Sequence, residues 1–264
     1  MCRFVAYLGE PVPLDAIVCR PRHSLLRQAR HARRAPSAIH GDGFGVGWYD
    51  AGGTPSVRRA AVPAWSGDGL RTLCERIRAG LFFAHVRAAT GTEVAPRNSH
   101  PFRLGRHLFM HNGQIGGYPS VRAALEARLP ASLQAAREGG TDSELIFLLA
   151  MARAADGLAP AHAVMRALDD AHEAMVVEGV SQPLTFAAAL SDGRDLWAFR
   201  VASHGAPPSL YVRRSATGVV VASEPFDDDS EDWAPVAPGT AVRIGPRAAR
   251  VAVRGDTGRV LEMA

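Results

Sequence analysis

Lysine is absent: all 30 basic residues of this 264-residue chain are arginine. No lysine Schiff base can form, which excludes ordinary pyridoxal-phosphate chemistry and lysine-dependent aldol chemistry. A Walker-type phosphate loop, which needs its lysine, is excluded as well. Cysteine is scarce. Cys2, Cys19 and Cys74 form no CxxC pair and no Cys/His cluster with zinc spacing, and the 10 histidines contain no HExxH motif. Neither metal nor cofactor is therefore expected. A Cys19–Cys74 disulfide and two inert thiols both fit the sequence, the second suiting a cytosolic chain. Long apolar runs are missing too. The longest, Leu145 to Ala152, is far too short to span a bilayer, and no basic-then-apolar leader opens the chain. The expectation is a soluble cytoplasmic protein that contacts no membrane.

Hydrophobic residues make up 47% and charged residues 21%, enough to bury a core and too little charge for disorder. The net charge of +4 raises the question of nucleic acid. Arginines do gather at Arg20, Arg22, Arg27, Arg30, Arg33 and Arg34, but no aromatic residues interleave with them. A solvated helix face, or a rim that steers small anions, accounts for the run better, and no nucleic-acid partner is expected.

Strand-like segments fall near 2–8, 44–50, 56–61, 81–87 and 107–111. Helical patterns occupy 24–33, 68–79, 119–128, 142–155 and 160–178, and strands return near 185–190, 196–201, 209–214, 219–223 and 241–253. Strands, then paired helices, then strands suit an α+β arrangement of sheets against helical layers. Thr141-Asp142-Ser143-Glu144 reads as a capping box, with Leu145, Leu148, Leu149 and Ala152 as the stripe behind it. Val164, Leu168, Ala171 and Met175 form the matching stripe of an antiparallel partner helix.

Five places carry chemistry-bearing residues. Once Met1 is removed, Cys2 supplies a thiol nucleophile and, on its own backbone, an amine whose pKa of about 7.7–8.0 suits a general base. His40-Gly41-Asp42-Gly43-Phe44-Gly45-Val46-Gly47-Trp48 carries glycines that let a backbone pass close to another group. Arg87, after the apolar run Leu81-Phe82-Phe83-Ala84, needs an anion, either a structural carboxylate or one on a substrate. Asn112-Gly113 is either a tight hairpin turn or an oxyanion hole of side-chain amide and backbone N–H. Asp142 either stabilises a helix N-terminus through the dipole or pairs with a substrate ammonium. Together they provide what a glutamyl amide requires: a cation, an anion, a nucleophile, a base and an oxyanion hole.

MCRFVAYLG, GDGFGVGW, HVRAATG followed by NSHPF, HNGQI and TDSE resemble, in order and spacing, the class II glutamine amidotransferase domain, from Cys2 to about Glu224-Pro225. The resemblance implies the four-layer αββα sandwich of the N-terminal-nucleophile hydrolases, in a single domain over 2–264. It implies Cys2 as nucleophile, Asn112 and Gly113 as oxyanion hole, Arg87 with Thr90 on the carboxylate side, and Asp142 as amine anchor. Members that feed a fused synthase often carry Arg-Trp-Ala-Thr-His where this chain has Arg87-Ala88-Ala89-Thr90-Gly91. The smaller residues predict a roomier site, and no synthase domain is expected in the remaining chain. The pattern is most similar to the stand-alone γ-glutamyl hydrolases of ergothioneine biosynthesis and the amidotransferase-like enzymes of glutathione degradation. The expected activity is hydrolysis of a γ-glutamyl amide through a Cys2 thioester. The alternatives are a glutaminase subunit that hands ammonia to a separate synthase, and a non-catalytic glutamate-binding module that keeps Met1. The acidic run Asp227 to Asp232 reads as a lid, a partner contact or plain solvated surface.

Overall fold

Alternating side chains give each strand two faces, and here both faces are apolar, so each sheet must be covered on both sides. The computed structural model describes residues 2–34, 39–67, 69–227 and 232–245, with the backbone alone of 248–254 and 260–263. The first half runs β1 (Arg3–Pro13), α1 (Asp15–Val18), α2 (Leu25–Gln28), β2 (Phe44–Tyr49), β3 (Pro55–Ala60), α3 (Gly69–Arg76), β4 (Arg78–Val86), β5 (Phe102–Leu104) and β6 (His107–Gln114). Four helices follow: α4 (Tyr118–Glu126), α5 (Ala131–Ala136), α6 (Asp142–Ala155) and α7 (Pro160–Val177). The chain then returns to strands as β7 (Thr185–Ser191), β8 (Leu196–Ala202), β9 (Tyr211–Arg214), β10 (Gly218–Ala222), β11 (Trp233–Pro235), β12 (Thr240–Gly245), β13 (Ala248–Arg254) and β14 (Val260–Met263).

The strands form two seven-stranded sheets, ordered β11-β9-β10-β1-β4-β2-β3 and β14-β13-β12-β8-β7-β6-β5. Phe4 and Ala6 of β1 meet Leu81 and Phe83 of β4, Leu108 and Met110 of β6, and Ala187 and Ala189 of β7 in the core between the sheets. The opposite face of the first sheet, with Val5, Tyr7, Phe82 and Val86, packs on residues of α1, α2 and α3. Phe109, Phe186 and Leu190 do the same for the second sheet against α4, α6 and α7. The layers are α, β, β, α, as the resemblance implied.

Several elements depart from the sequence reading. β1 continues to Pro13 through Gly9-Glu10-Pro11, where a stop was expected, because a register shift between Leu8 and Val12 absorbs the irregular residues. The helix expected over 24–33 is α2 alone, capped by Ser24, whose side chain accepts from the Arg27 N–H at 3.4 Å. The strand expected over 241–253 is two strands, β12 and β13. α6 is buried all round from Ser143 to Ala152, not along one stripe, since it lies between the second sheet and α4 and α7. Thr141 caps it by accepting from the Glu144 N–H at 3.1 Å. The reciprocal arm of the capping box does not form. Glu144 instead accepts from the N–H groups of Glu138 and Gly139 at 2.9 and 2.7 Å.

Cys19 and Cys74 are free thiols, hydrogen-bonded to each other, which lowers the pKa of Cys19 and raises that of Cys74. Asp227 is not bare surface: it accepts from Arg213 at 2.6 Å and from the Trp233 indole at 2.9 Å. Residues 228–231 of the acidic run lie outside the described residues. No described helix is long and apolar enough to cross a membrane.

Candidate active site

The register of β1 against β4 places Arg3 opposite Val86, so Cys2 and Arg87 follow side by side at one end of the sheet. Cys2 shares the strand face of Phe4 and Ala6, and Arg87 that of Leu81 and Phe83; both faces look into the gap between the sheets. Across the gap, Asn112 continues the row of Leu108 and Met110 on β6. Side-chain alternation thus delivers a thiol, a guanidinium and an amide to one end of the sandwich.

Cys2, Arg87, Thr90, Gly113 and Asp142 line a single cavity of about 360 Å³ there. The Cys2 thiol donates to the Ala88 carbonyl at 3.6 Å. Burial pushes this thiol up, while Arg87 and Arg3 pull the other way. Asn112 is 1% exposed and is not among the residues lining the cavity, although its neighbours His111 and Gly113 are; neither polar atom of its side chain has a hydrogen-bond partner among the described residues. The pair Asn112-Gly113 is no hairpin turn: β6 stays paired with β7 through Gln114. Gly113 has φ +143°, and a Cβ there would come within 2.0 Å of the Thr185 carbonyl oxygen. Only glycine fits.

Arg87 is buried, and its Nη2 donates to Thr92 Oγ1 at 2.8 Å, while its Nη1 has no partner among the described residues. Its main chain is held by the glycine-rich segment: its N–H donates to the Gly43 carbonyl at 2.8 Å, and its carbonyl accepts from the Asp42 N–H at 3.0 Å. Asp42 also accepts from the Ala89 N–H at 2.8 Å. Gly45 lets His100 lie on β2, since a Cβ would stand 1.9 Å from the His100 carbonyl oxygen. Thr90 lines the cavity but is exposed.

Asp142, opening α6, accepts from the Ile115 N–H at 2.8 Å and from its neighbour Ser143. Ser143 Oγ meets His111 Nδ1 at 2.8 Å. His85, His100 and His111 are all buried, with the His85 and His100 rings 4.3 Å apart. Burial pushes all three down, His85 and His100 well below the usual histidine range, so this wall is uncharged at neutral pH. Uncharged imidazoles leave Asp142 free to attract a cation.

Thr92, Asp42 and the histidines were not singled out as site residues from sequence. Asp42 lies within the glycine-rich motif, and Thr92 two positions beyond Thr90. Their partners could not be read without the fold.

A family model described as glutamine amidotransferases class-II matches residues 24–217, most of the chain. The chain belongs to this family. A γ-glutamyl-hercynylcysteine sulfoxide hydrolase of Mycolicibacterium smegmatis is similar to this amidotransferase at 30% identity over 231 residues, covering 87% of this chain and 89% of that protein. A probable glutamine amidotransferase of Saccharomyces cerevisiae, DUG3, is 36% identical over 160 residues, 56% of this chain and 44% of its own. The chain thus spans less than half of that relative's length. The solved structure of a glutamine aminotransferase class-II domain protein from Silicibacter pomeroyi superposes with a TM-score of 0.75 at 33% identity, covering 95% of this chain and 98% of that one.

Proposed function

We propose that this class II amidotransferase hydrolyses the amide bond of a γ-glutamyl compound through a thioester on Cys2, releasing glutamate and an amine. The observation that carries the reading is that Cys2, Arg87, Gly113 and Asp142 open on one cavity at the mouth of the sandwich. The free Nη1 of Arg87 receives the substrate carboxylate and Asp142 its ammonium. Removal of Met1 frees the Cys2 amine, which takes the thiol proton that burial otherwise retains. The thiolate adds to the γ-carbonyl carbon, and the oxyanion is held by the Asn112 amide and the Gly113 N–H. The C–N bond breaks, the amine leaves with the proton, and water cleaves the thioester. The name of the mycobacterial relative supports a γ-glutamyl substrate larger than glutamine. We further propose that 2–264 act as one catalytic unit. Three free thiols favour a cytoplasmic setting.

The test is the intact mass of the native protein before and after a glutamine-derived diazoketone, with turnover of glutamine and γ-glutamyl amides measured alongside. Loss of Met1 and one adduct on Cys2 are expected. A retained Met1, or label elsewhere, removes base or nucleophile and leaves a binding module. Turnover confined to glutamine favours ammonia supply to a separate synthase.

A further inference from the structure

Gln114 lines two cavities at once. One is the chamber of Cys2, Arg87 and Asp142. The other, of about 470 Å³, is bounded by Arg34, Thr185 and the segment Ala206-Pro207-Pro208-Ser209. Strand order fixes how they lie about the nucleophile. β1 has β4 on one side and β10 on the other. Arg87 follows directly on β4, so the cation assigned to the substrate carboxylate stands on that side. The Ala206–Ser209 segment is tied to the β10 side: Ser209 Oγ donates to the Ser223 carbonyl at 2.7 Å, and the Ser223 N–H donates to the Phe4 carbonyl at 3.0 Å. Cys2 therefore stands between the cavities. An amide gripped by Arg87 and Asp142, with its γ-carbonyl at Cys2, directs its leaving nitrogen past Gln114 into the second cavity.

We infer that this second cavity is a leaving-group subsite, and that it selects amines bearing a carboxylate, as in γ-glutamyl amino acids and short γ-glutamyl peptides. The inference rests on the function proposed above. Arg34 is the charged residue of the described lining, and no described carboxylate shares that wall. Its guanidinium lies over the Tyr211 ring, 5.3 Å from the centroid. Its main chain is clamped, the N–H donating to Glu224 Oε2 at 2.9 Å and the carbonyl accepting from Arg3 Nη2 at 2.9 Å. The root of the side chain is thus fixed before any ligand arrives, which reduces the ordering cost of binding. Pro207 and Pro208 lack backbone N–H donors and, with Ala206, give an apolar floor suited to an aliphatic side chain. The ammonia released from glutamine would fill none of this space.

The test compares kcat/KM for γ-glutamylalanine with that for γ-glutamylisopropylamide, in which a methyl group replaces the carboxylate. The native enzyme should prefer γ-glutamylalanine by about 10-fold or more, as a charge-assisted contact provides. Arg34→Gln should lower that ratio by about 10-fold, and Arg34→Lys should retain part of it. A ratio within one enzyme cancels any loss of folded protein, and diazoketone labelling of Cys2 reports an intact nucleophile. A γ-glutamylalanine series lengthened by glycine separates amino acid from peptide leaving groups. A native ratio near one, or one that Arg34→Gln leaves unchanged, overturns the subsite while the hydrolase stands. Absence of both turnover and Cys2 labelling overturns the hydrolase reading and the subsite with it.

Discussion

The carboxylate of Asp142 accepts the main-chain N–H of Ile115 at 2.8 Å, which ties the first turn of α6 to the chain just beyond the Asn112–Gly113 pair. One residue is therefore both the proposed ammonium anchor and a clamp on the oxyanion strand. Two substitutions separate these roles. Asp142→Asn keeps an acceptor for Ile115 but loses the charge, and should raise KM for a γ-glutamyl substrate about 10-fold with a smaller effect on kcat. Asp142→Ala also strips the acceptor from the N–H groups of Ile115 and Ser143. It should cost about 1–3 kcal/mol in urea unfolding and lower kcat as well. An unchanged KM in the Asn variant would reduce Asp142 to a clamp.

Asn112 and Gly113 should respond in opposite ways. Asn112 is buried with its amide unpartnered, so Asn112→Ala removes no protein hydrogen bond that the fold relies on. Turnover should fall about 10²–10³-fold, as for loss of an oxyanion donor, with the thermal midpoint nearly kept. Gly113→Ala forces a methyl against the Thr185 carbonyl at 2.0 Å and should break the β6–β7 pairing. Circular dichroism melts of the two variants, beside single-turnover rates, check both statements.

Arg87 gives a graded series. Its Nη2 is committed to Thr92 and its Nη1 has no partner among the described residues, so in the proposed function one guanidinium bridges protein and substrate. Lysine cannot make both contacts with fixed geometry, and Arg87→Lys should raise KM by about 10–100-fold. Thr92→Val removes only the bracing bond and should raise KM less, by about 3–10-fold. Equal effects on KM would mean that Thr92 contacts substrate rather than positioning Arg87.

Cys2, Arg87, Gly113 and Asp142, singled out by the motifs, line one cavity because each stands at or beside a strand or helix end, where chain direction decides what faces it. Asn112-Gly113 stayed ambiguous in sequence, since a hairpin and a continuing strand both accept it; only the pairing with β7 removes the turn. The helix expected over 24–33 failed for a long-range reason. The N–H groups of Arg33 and Arg34 are taken by Glu224, far along the chain, and the Ala29 carbonyl accepts from His40. An arginine-rich run with good helix propensity cannot reveal such a competitor. Glu144 misled in the same way, its expected cap partner replaced by the N–H groups of Glu138 and Gly139.

The buried histidines make stability depend on pH in a definite direction. His85, His100 and His111 have pKa values lowered by burial, whereas in the unfolded chain they titrate near 6.5. Below about pH 6.5 the unfolded state binds protons that the folded state refuses, so stability is complete above that pH and declines as pH falls toward the folded values. For His85 and His100, held well below the usual range, the slope approaches about 1.4 kcal/mol per pH unit each within that window. Glu224 acts in a separate, lower window. Burial alone would raise its carboxyl, but His23, the N–H groups of Arg33 and Arg34, and Arg3 outweigh it and hold it below the usual range. Its contribution is present above about pH 4.3 and is lost only as pH falls further. Urea midpoints should therefore fall steadily from pH 7 to pH 5, before any carboxylate of the Glu224 type responds. His85→Phe or His100→Phe should flatten that slope by removing one proton from the difference. A midpoint constant between pH 8 and pH 5 would mean that the buried imidazoles accept protons in the folded state, and the uncharged wall beside Asp142 would be lost with it.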